Sequence, residues 1–150
     1  PTLPRDPGPP PMSLMIRDLP ALTLSGAQRL AEAAAAEATR RGWTVAVAVV
    51  DPAGDLILFH RIDGTQPAST ELAVDKARTA ARLRRATKVL EDGITNGRPA
   101  LATIRNALAL EGGLPVVREG QVVGAVGVSG MTSAEDGVIA NAALLAFADS

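Results

Sequence analysis

The chain has 150 residues, of which 47% are hydrophobic and only 2% are aromatic, and its formal net charge at pH 7 is −1. A nearly neutral chain with so few aromatic side chains lacks the basic surface and the stacking groups that nucleic-acid binding requires. The sequence contains no cysteine, so disulfides, thiolate nucleophiles and cysteine-ligated zinc sites are excluded.

The length is that of one domain with a core of its own. No apolar run reaches the roughly 20 residues that cross a bilayer, so we expect no membrane partner. The N-terminus lacks the charged and apolar regions of a signal peptide, which makes the cytoplasm the expected location. Six of the eleven prolines fall within residues 1–12. We therefore predict a disordered leader over residues 1–20 and a single domain over residues 21–150.

The first half of the domain contains a helix followed by a pair of strands. The segment "LTLSGAQRLAEAAAAEATRRG" predicts an amphipathic helix with an alanine-rich face, an N-cap at Ser25 and a stop at Gly42. Two apolar runs follow, "WTVAVAVVD" and "LILFHRID", and the turn "PAGD" lies between them. This pattern predicts an antiparallel hairpin.

The second half has a similar order. The segment "QPASTELAVDKARTAARLRRATKVLED" predicts one long helix that begins at Ser69 or Thr70, and "GITNGRP" ends it. A shorter segment around residues 99–110 has no decisive pattern. A second hairpin then turns at "REGQ", and "TSAEDGVIANAALLAFA" predicts a closing helix. Strands that come in hairpin pairs between helices are typical of the α+β class.

The second hairpin is unusually rich in glycine. Residues 111–130 hold six glycines among residues that otherwise favour a strand. Glycine weakens the interior of a strand, so either another backbone or a ligand must lie very close to the sheet here.

Lys76 is the main anomaly of the long helix. It falls inside the apolar face, between Leu72 and Leu83 on a helical wheel. A lysine in this position must extend its ammonium to water, pair with an internal acid or bind the anion of a ligand.

Three polar residues end the first hairpin. Arg61 could offer a planar fork to a carboxylate, although Arg61 and Asp63 could equally be the solvated charges of a turn. His60 is the only histidine, and strand alternation places it on the face opposite to Arg61. It is either a structural residue or a candidate metal ligand or acid–base group.

Two acids begin the closing helix. Glu135 and Asp136 each lie three residues after a hydroxyl side chain, those of Thr132 and Ser133 respectively. Because this is the spacing of a capping box, we expect Asp136 to cap the helix. The role of Glu135 stays open, and Glu135 is kept as a candidate catalytic carboxylate.

Taken in order, three segments and an acidic helix start resemble the GlcG/HbpS-like family over roughly residues 22–148. The segments are "VAVAVVDPAGDLILFHRIDG", "ASTELAVDKARTAARL" and "GGLPVVREGQVVGAVGVSG", and the helix start is "AED". Members of this family are described as haem-degrading or haem-binding domains. They include the C-terminal domain of PduO-type corrinoid adenosyltransferases.

The resemblance implies a profilin-like domain of three α/β/α layers, built on an antiparallel sheet of about five strands. It also implies a homo-oligomer, either a dimer or a higher assembly. Its motifs match this chain at the "KA-TA" helix, the "R-DG" corner and the two glycines of the second hairpin. We therefore expect ligand contacts from these motifs and from the end of the last strand: Arg61, Asp63, Lys76, Gly112, Gly113 and Ser129.

The function that the resemblance implies is small-molecule binding, with haem or another tetrapyrrole as the ligand. His60, as the only imidazole, is the candidate axial ligand. One alternative is a cofactor-independent enzyme that acts on a small carboxylate or carbonyl metabolite. In that scheme Lys76 and Arg61 hold the anion, and Glu111 or Glu135 transfers the proton. Another alternative is an oligomeric assembly module that uses the glycine-rich sheet as its interface.

Overall fold

The computed structural model describes residues 2–150 and has the α+β architecture that the sequence predicts. Two short 3-10 turns, at Met12–Leu14 and Pro99–Thr103, accompany the main elements. The helices and strands, in chain order, are α1 (Leu24–Arg41), β1 (Ala46–Val50), β2 (Leu56–Arg61), α2 (Ser69–Leu83), α3 (Thr87–Thr95), β3 (Gly113–Arg118), β4 (Gln121–Ser129) and α4 (Ser133–Ala148).

The sheet within residues 2–150 has four strands in the order β2-β1-β4-β3, and each neighbouring pair is antiparallel. The expected number of about five strands is therefore corrected to four. The undecided segment around residues 99–110 adds no strand, because it forms a 3-10 turn followed by irregular chain. Strands β2 and β3 are consequently the two edges of the sheet.

Helices cover both faces of this sheet, which gives the three layers implied by the family resemblance. Helix α2 packs on one face against small residues, and helices α1 and α4 pack on the other against valines. The α2 side of the core consists almost entirely of alanine: Ala46, Ala48, Val50, Ala73, Ala77, Ala80, Ala81 and Ala125. Small side chains on both surfaces bring α2 unusually close to the strands.

The glycines of the second hairpin make room for α2. A Cβ atom on Gly127 would meet the backbone of the helix, at the carbonyl of Ala73 and 2.5 Å from the nitrogen of Ala77. A Cβ atom on Gly113 would likewise strike the carbonyl oxygen of Lys76. The close neighbour at these two positions is therefore the backbone of the same chain.

Two helix boundaries differ from the sequence prediction. Helix α1 is capped by Thr23, whose hydroxyl accepts the Gly26 N–H at 3.0 Å, so the expected cap at Ser25 is wrong by two residues. Helix α1 ends at Gly42 as predicted, with a left-handed φ of 72°. The predicted long helix is divided into α2 and α3, because Arg84 takes a left-handed φ of 53° and ends the first of them.

The segment before α1 is anchored at Leu22. Its N–H donates to the carbonyl of Val123 at 2.9 Å, and its side chain covers Gly124. The apolar side chains farther toward the N-terminus are largely exposed, including those of Met12 and Leu14. No helix in the described part of the chain is long and apolar enough to cross a membrane.

Candidate functional site

A buried ion pair joins the two helical layers at one end of the sheet. The Nζ atom of Lys76, on α2, lies 3.0 Å from Oδ2 of Asp136, on α4, and both side chains are at most 3% exposed. The same ammonium donates to the carbonyl of Val128 at 2.9 Å. Of the three alternatives for Lys76, the geometry is that of a lysine paired with an internal acid.

Asp136 is held from two sides. Its Oδ2 atom accepts from Lys76, and its Oδ1 atom accepts the N–H of Met131 at 2.9 Å. Burial raises the pKa of this carboxyl above its ordinary value, although the Met131 N–H and the Lys76 ammonium both favour the charged form and oppose the rise. Desolvation is thus the largest single influence on Asp136.

Glycine at position 112 leaves the space that the ammonium occupies. A Cβ atom there would lie 2.9 Å from Nζ of Lys76 and 2.5 Å from the carbonyl oxygen of Val128. The adjacent Gly113 donates its N–H to the hydroxyl of Thr87 at 2.9 Å. The structure therefore brings Lys76, Gly112 and Gly113 together, with Gly112 against the ammonium of the ion pair and Gly113 against the backbone of Lys76.

The capping acid of α4 is Glu135, so the expectation that Asp136 caps the helix is wrong. Glu135 forms the capping box, because its N–H donates to the Thr132 hydroxyl at 3.2 Å and its carboxylate accepts the Thr132 N–H at 3.2 Å. Asp136 does not form this box. It lies on the buried face of the helix and reaches Lys76.

Glu111 precedes Gly112 in the sequence, but it is not among the hydrogen-bond partners of Lys76 or Asp136 in the described part of the chain. Its side chain is half-buried and packs against Gly137 of α4, and its backbone N–H donates to the carboxylate of Glu91 at 3.1 Å. The nearby carboxylates of Glu111 and Glu91 contribute to a raised pKa of Lys88, whose largest cause is its bond to Asp92.

The remaining candidate residues lie along the hairpin. Arg61 and Ser129 are both register partners of Ala46, so they share the α2 face of the sheet at a separation of about 10 Å. Arg61 is exposed, whereas Ser129 is buried with its hydroxyl 3.3 Å from that of Ser69. Asp63 is exposed beyond the end of β2.

His60 lies on the opposite face of the sheet from Lys76. Its register partner on β1 is Val47, which belongs to the core beneath α1 and α4, and the imidazole is half-buried on an edge strand. Within residues 2–150, no group of three or more histidine, cysteine or acidic side chains could hold a metal ion. The structure thus separates His60 from the other candidate residues.

Open space is found away from the ion pair. A cavity of about 780 Å³ lies between β3 and the end of α4 and is lined by residues that include Val117, Arg118 and Phe147. Smaller cavities lie beside α2, beneath Leu19 and between α1 and α4. Lys76 lines none of these five cavities.

Comparison with known proteins places the chain in a family. The model of the family described as "Haem degrading protein HbpS-like" matches residues 22–145. The chain belongs to this family. GlcG of Escherichia coli K12 is 46% identical over 93 residues, which are 62% of this chain and 69% of GlcG.

Two solved structures of the family are similar over most of their length. A double mutant of HbpS from Streptomyces reticuli has a TM-score of 0.82 at 32% identity and covers 97% of each chain. The structure titled PduOC:Heme complex has a TM-score of 0.76 at 29% identity, covering 84% of this chain and 94% of the other. Both support the fold described above.

The role of Asp136 in this ion pair was not predicted from the sequence. A signal for it exists, because Asp136 shares one helical arc with the buried residues Ile139, Ala140 and Ala143. An acid on a buried arc needs a buried partner, and Lys76 on the apolar face of α2 is the matching cation.

Proposed function

We propose that the protein binds haem, or a closely related iron tetrapyrrole, at the β2 edge of its sheet, with His60 as an axial ligand. The observation that carries this proposal is the half-buried imidazole on an edge strand, in a chain that shares its family and fold with a protein solved as a haem complex. An edge strand has one side without a neighbouring strand, so a ligand can reach its side chains.

The residues around His60 fit a tetrapyrrole. Leu58 lies two residues earlier on the same face of β2 and Ile62 two residues later, and both are half-buried against the core. Trp43, just before β1, lies at the same end of the hairpin, where the Ile62 N–H donates to the carbonyl of Val45. These side chains offer the apolar surface that a macrocycle requires, on either side of one imidazole.

A cationic group is also available for the carboxylates of haem. The guanidinium of Arg41 lies 5.0 Å from the centre of the Trp43 ring, although it also bonds the carboxylate of Glu37 at 2.7 Å. When bound, haem would supply an iron centre with its ligand-binding and redox chemistry. The contribution of this chain would be the His60 nitrogen and the apolar surface.

The acid–base enzyme is less well supported by the geometry. In that scheme Lys76 must present an unneutralised charge to a substrate, whereas its ammonium is paired with Asp136 and nearly excluded from water. Glu135, the second candidate, is engaged in the capping box. Haem binding, unlike the acid–base scheme, assigns a role to His60, which is the only histidine of the sequence.

A homo-oligomer in the cytoplasm is part of the proposal. Val138 and Leu145 are 41% and 59% exposed on the outer face of α4, beside the alanines of α1. A second copy that covered this face would remove both side chains from water.

Haem titration tests the proposal directly. Wild-type protein should develop a Soret band that saturates at a fixed ratio of haem to chain, and His60→Ala should shift the position of that band or abolish it. Arg61→Ala is the matched control, because its side chain extends from the opposite face of the same strand. Identical spectra for wild type and His60→Ala would reject His60 as the ligand, and the absence of a Soret band in wild type would reject haem binding.

A further inference from the structure

A cavity of about 430 Å³ lies beside α2, and neither His60 nor either member of the buried ion pair lines it. One wall is formed by α2, with Asp75, Arg78 and Arg82 on a single face at helical spacing, and the other by residues 106–108. Its walls present polar groups for the most part. The proposed haem site does not include any of these residues.

Both arginines are fixed by the turn that joins β1 to β2. The Nε atom of Arg78 donates to the carbonyl of Gly54 at 3.3 Å, and the Nε atom of Arg82 donates to the carbonyl of Ala53 at 2.9 Å. The turn is itself braced, because the Asp51 carboxylate accepts the N–H groups of Ala53 and Asp55. A guanidinium held through Nε keeps its four Nη hydrogens for another partner.

The charges of these arginines are not neutralised by ion pairs. Among residues 2–150, no carboxylate oxygen lies within 4.0 Å of either guanidinium. Two cations four residues apart on a helix repel each other, so an anion between them would relieve that repulsion. The nearby acids Glu71 and Asp75 both lie on the N-terminal side of the pair along α2.

The opposite wall is held in place by Thr79. Its hydroxyl donates to the carbonyl of Asp75 at 2.7 Å and accepts the N–H of Leu108 at 2.9 Å, which ties the irregular segment to the helix. Asn106 in that segment has a φ of 56°, in the left-handed region that asparagine adopts more readily than most residues other than glycine. The Thr79 bonds hold this segment, and with it the Asn106 amide, opposite the wall that carries the two arginines.

We propose that this cavity binds a small ligand through a phosphate or carboxylate group, held by Arg78 and Arg82 and assisted by the Asn106 amide. Guanidinium groups pair with both kinds of oxyanion in bidentate geometry, and two pre-positioned groups lose little freedom on binding. Asp75 in the cavity wall weakens the attraction for anions in general, so a ligand that binds specifically must contact both guanidinium groups. The two oxyanion classes share this chemistry and are separated by experiment.

The test is a titration of the full chain with inorganic phosphate and with succinate at constant ionic strength, followed by NMR of the backbone amides. The proposal expects saturable shifts at residues 53–54 and 106–108 for at least one of the two anions, with a dissociation constant below about 10 mM, a free energy near −3 kcal/mol. The anion that saturates identifies the class. An absence of saturation with both anions would overturn the proposal.

Substitutions distinguish a binding site of defined geometry from non-specific attraction of anions to positive charge. Arg78→Lys and Arg82→Lys keep the positive charge but remove the planar guanidinium that binds an oxyanion through two hydrogen bonds. Each should weaken binding at least tenfold. Arg85→Lys is the matched control, because Arg85 also donates through Nε to a backbone carbonyl yet does not line the cavity. An equal loss in all three variants would refute the site.

A further variant tests the site without removing an arginine. Asp75→Asn deletes a negative charge in the cavity wall and should tighten binding several-fold, since the like-charge repulsion is removed. An unchanged or weakened affinity in Asp75→Asn would contradict the proposed position of the anion, even if an arginine variant failed to fold.

Discussion

The Lys76→Met substitution should destabilise the protein strongly, because it leaves the Asp136 carboxyl buried without its cation. Both partners are almost completely excluded from water, at 2% and 3% exposure of their side chains. Breaking such a pair by removing one member costs about 3–5 kcal/mol, whereas the apolar stem is largely retained by methionine. For a domain of this size, that cost corresponds to a fall in Tm of roughly 6–20 °C.

Thermal and urea unfolding of wild type, single variants and one double variant provide the assay. The Lys76→Met/Asp136→Leu double variant should recover most of the lost stability, because it replaces the whole pair by apolar groups. Lys88→Met is the matched control, since the Lys88–Asp92 pair has a distance of 2.7 Å but both side chains are about half exposed. That control should melt close to wild type.

The penalty in Lys76→Met should also depend on pH. Burial already raises the native pKa of Asp136 above the usual value of about 3.9, and loss of the ammonium raises it further. A raised native pKa means that the contribution of this carboxyl to stability is fully present below pH ~3.9 and is lost as the pH rises through the native pKa. The difference in unfolding free energy between variant and wild type should therefore be larger at pH 8 than at pH 5. Equal stability of Lys76→Met and wild type at pH 8 would refute this account of the ion pair.

Three further predictions concern packing and assembly. Gly127→Ala should cost about 1–3 kcal/mol in urea unfolding, because its Cβ meets the backbone of α2, whereas Gly26→Ala, at ordinary contact distances, should be neutral or slightly stabilising. An equal effect of the two substitutions would contradict the close approach of α2. A chain that begins at Met12 should melt within a few degrees of the full chain, whereas one that begins at Thr23 loses the Leu22 anchor and should melt lower. A large loss on the shorter deletion would show that residues 1–11 dock on the domain. Light scattering should give at least twice the 15.4 kDa of one chain, and a species of 15.4 kDa alone at micromolar concentration would exclude the homo-oligomer.

Local patterns predicted the elements well, because the signals for them lie within a few residues. The first hairpin follows from two apolar runs and the turn between them, and the end of α1 follows from a glycine that adopts a left-handed φ at Gly42. The boundary between α2 and α3 was not predicted, since Arg84 is an ordinary helix former and nothing in the neighbouring sequence marks its left-handed backbone. The number of strands, inferred from resemblance, was one too many.

The candidate site was harder to predict, because its contacts span long distances in the sequence. Lys76 and Asp136 are 60 residues apart, and no local spacing joins them. Glu135 and Asp136 both have the spacing of a capping acid, and only the observed start of α4 decides between them. The glycines of residues 112–127 indicated that another group lies close to the sheet. Because a helix backbone and a ligand both require glycine at the point of closest approach, the sequence could not distinguish between them.

The most direct test of the central claim is a crystal structure of the protein after addition of haem. The account predicts a macrocycle at the β2 edge, with its iron bonded to a ring nitrogen of His60 and its faces against Leu58, Ile62 or Trp43. A macrocycle in the cavity beside Val117 and Phe147, or an iron bonded to any residue other than His60, would contradict it.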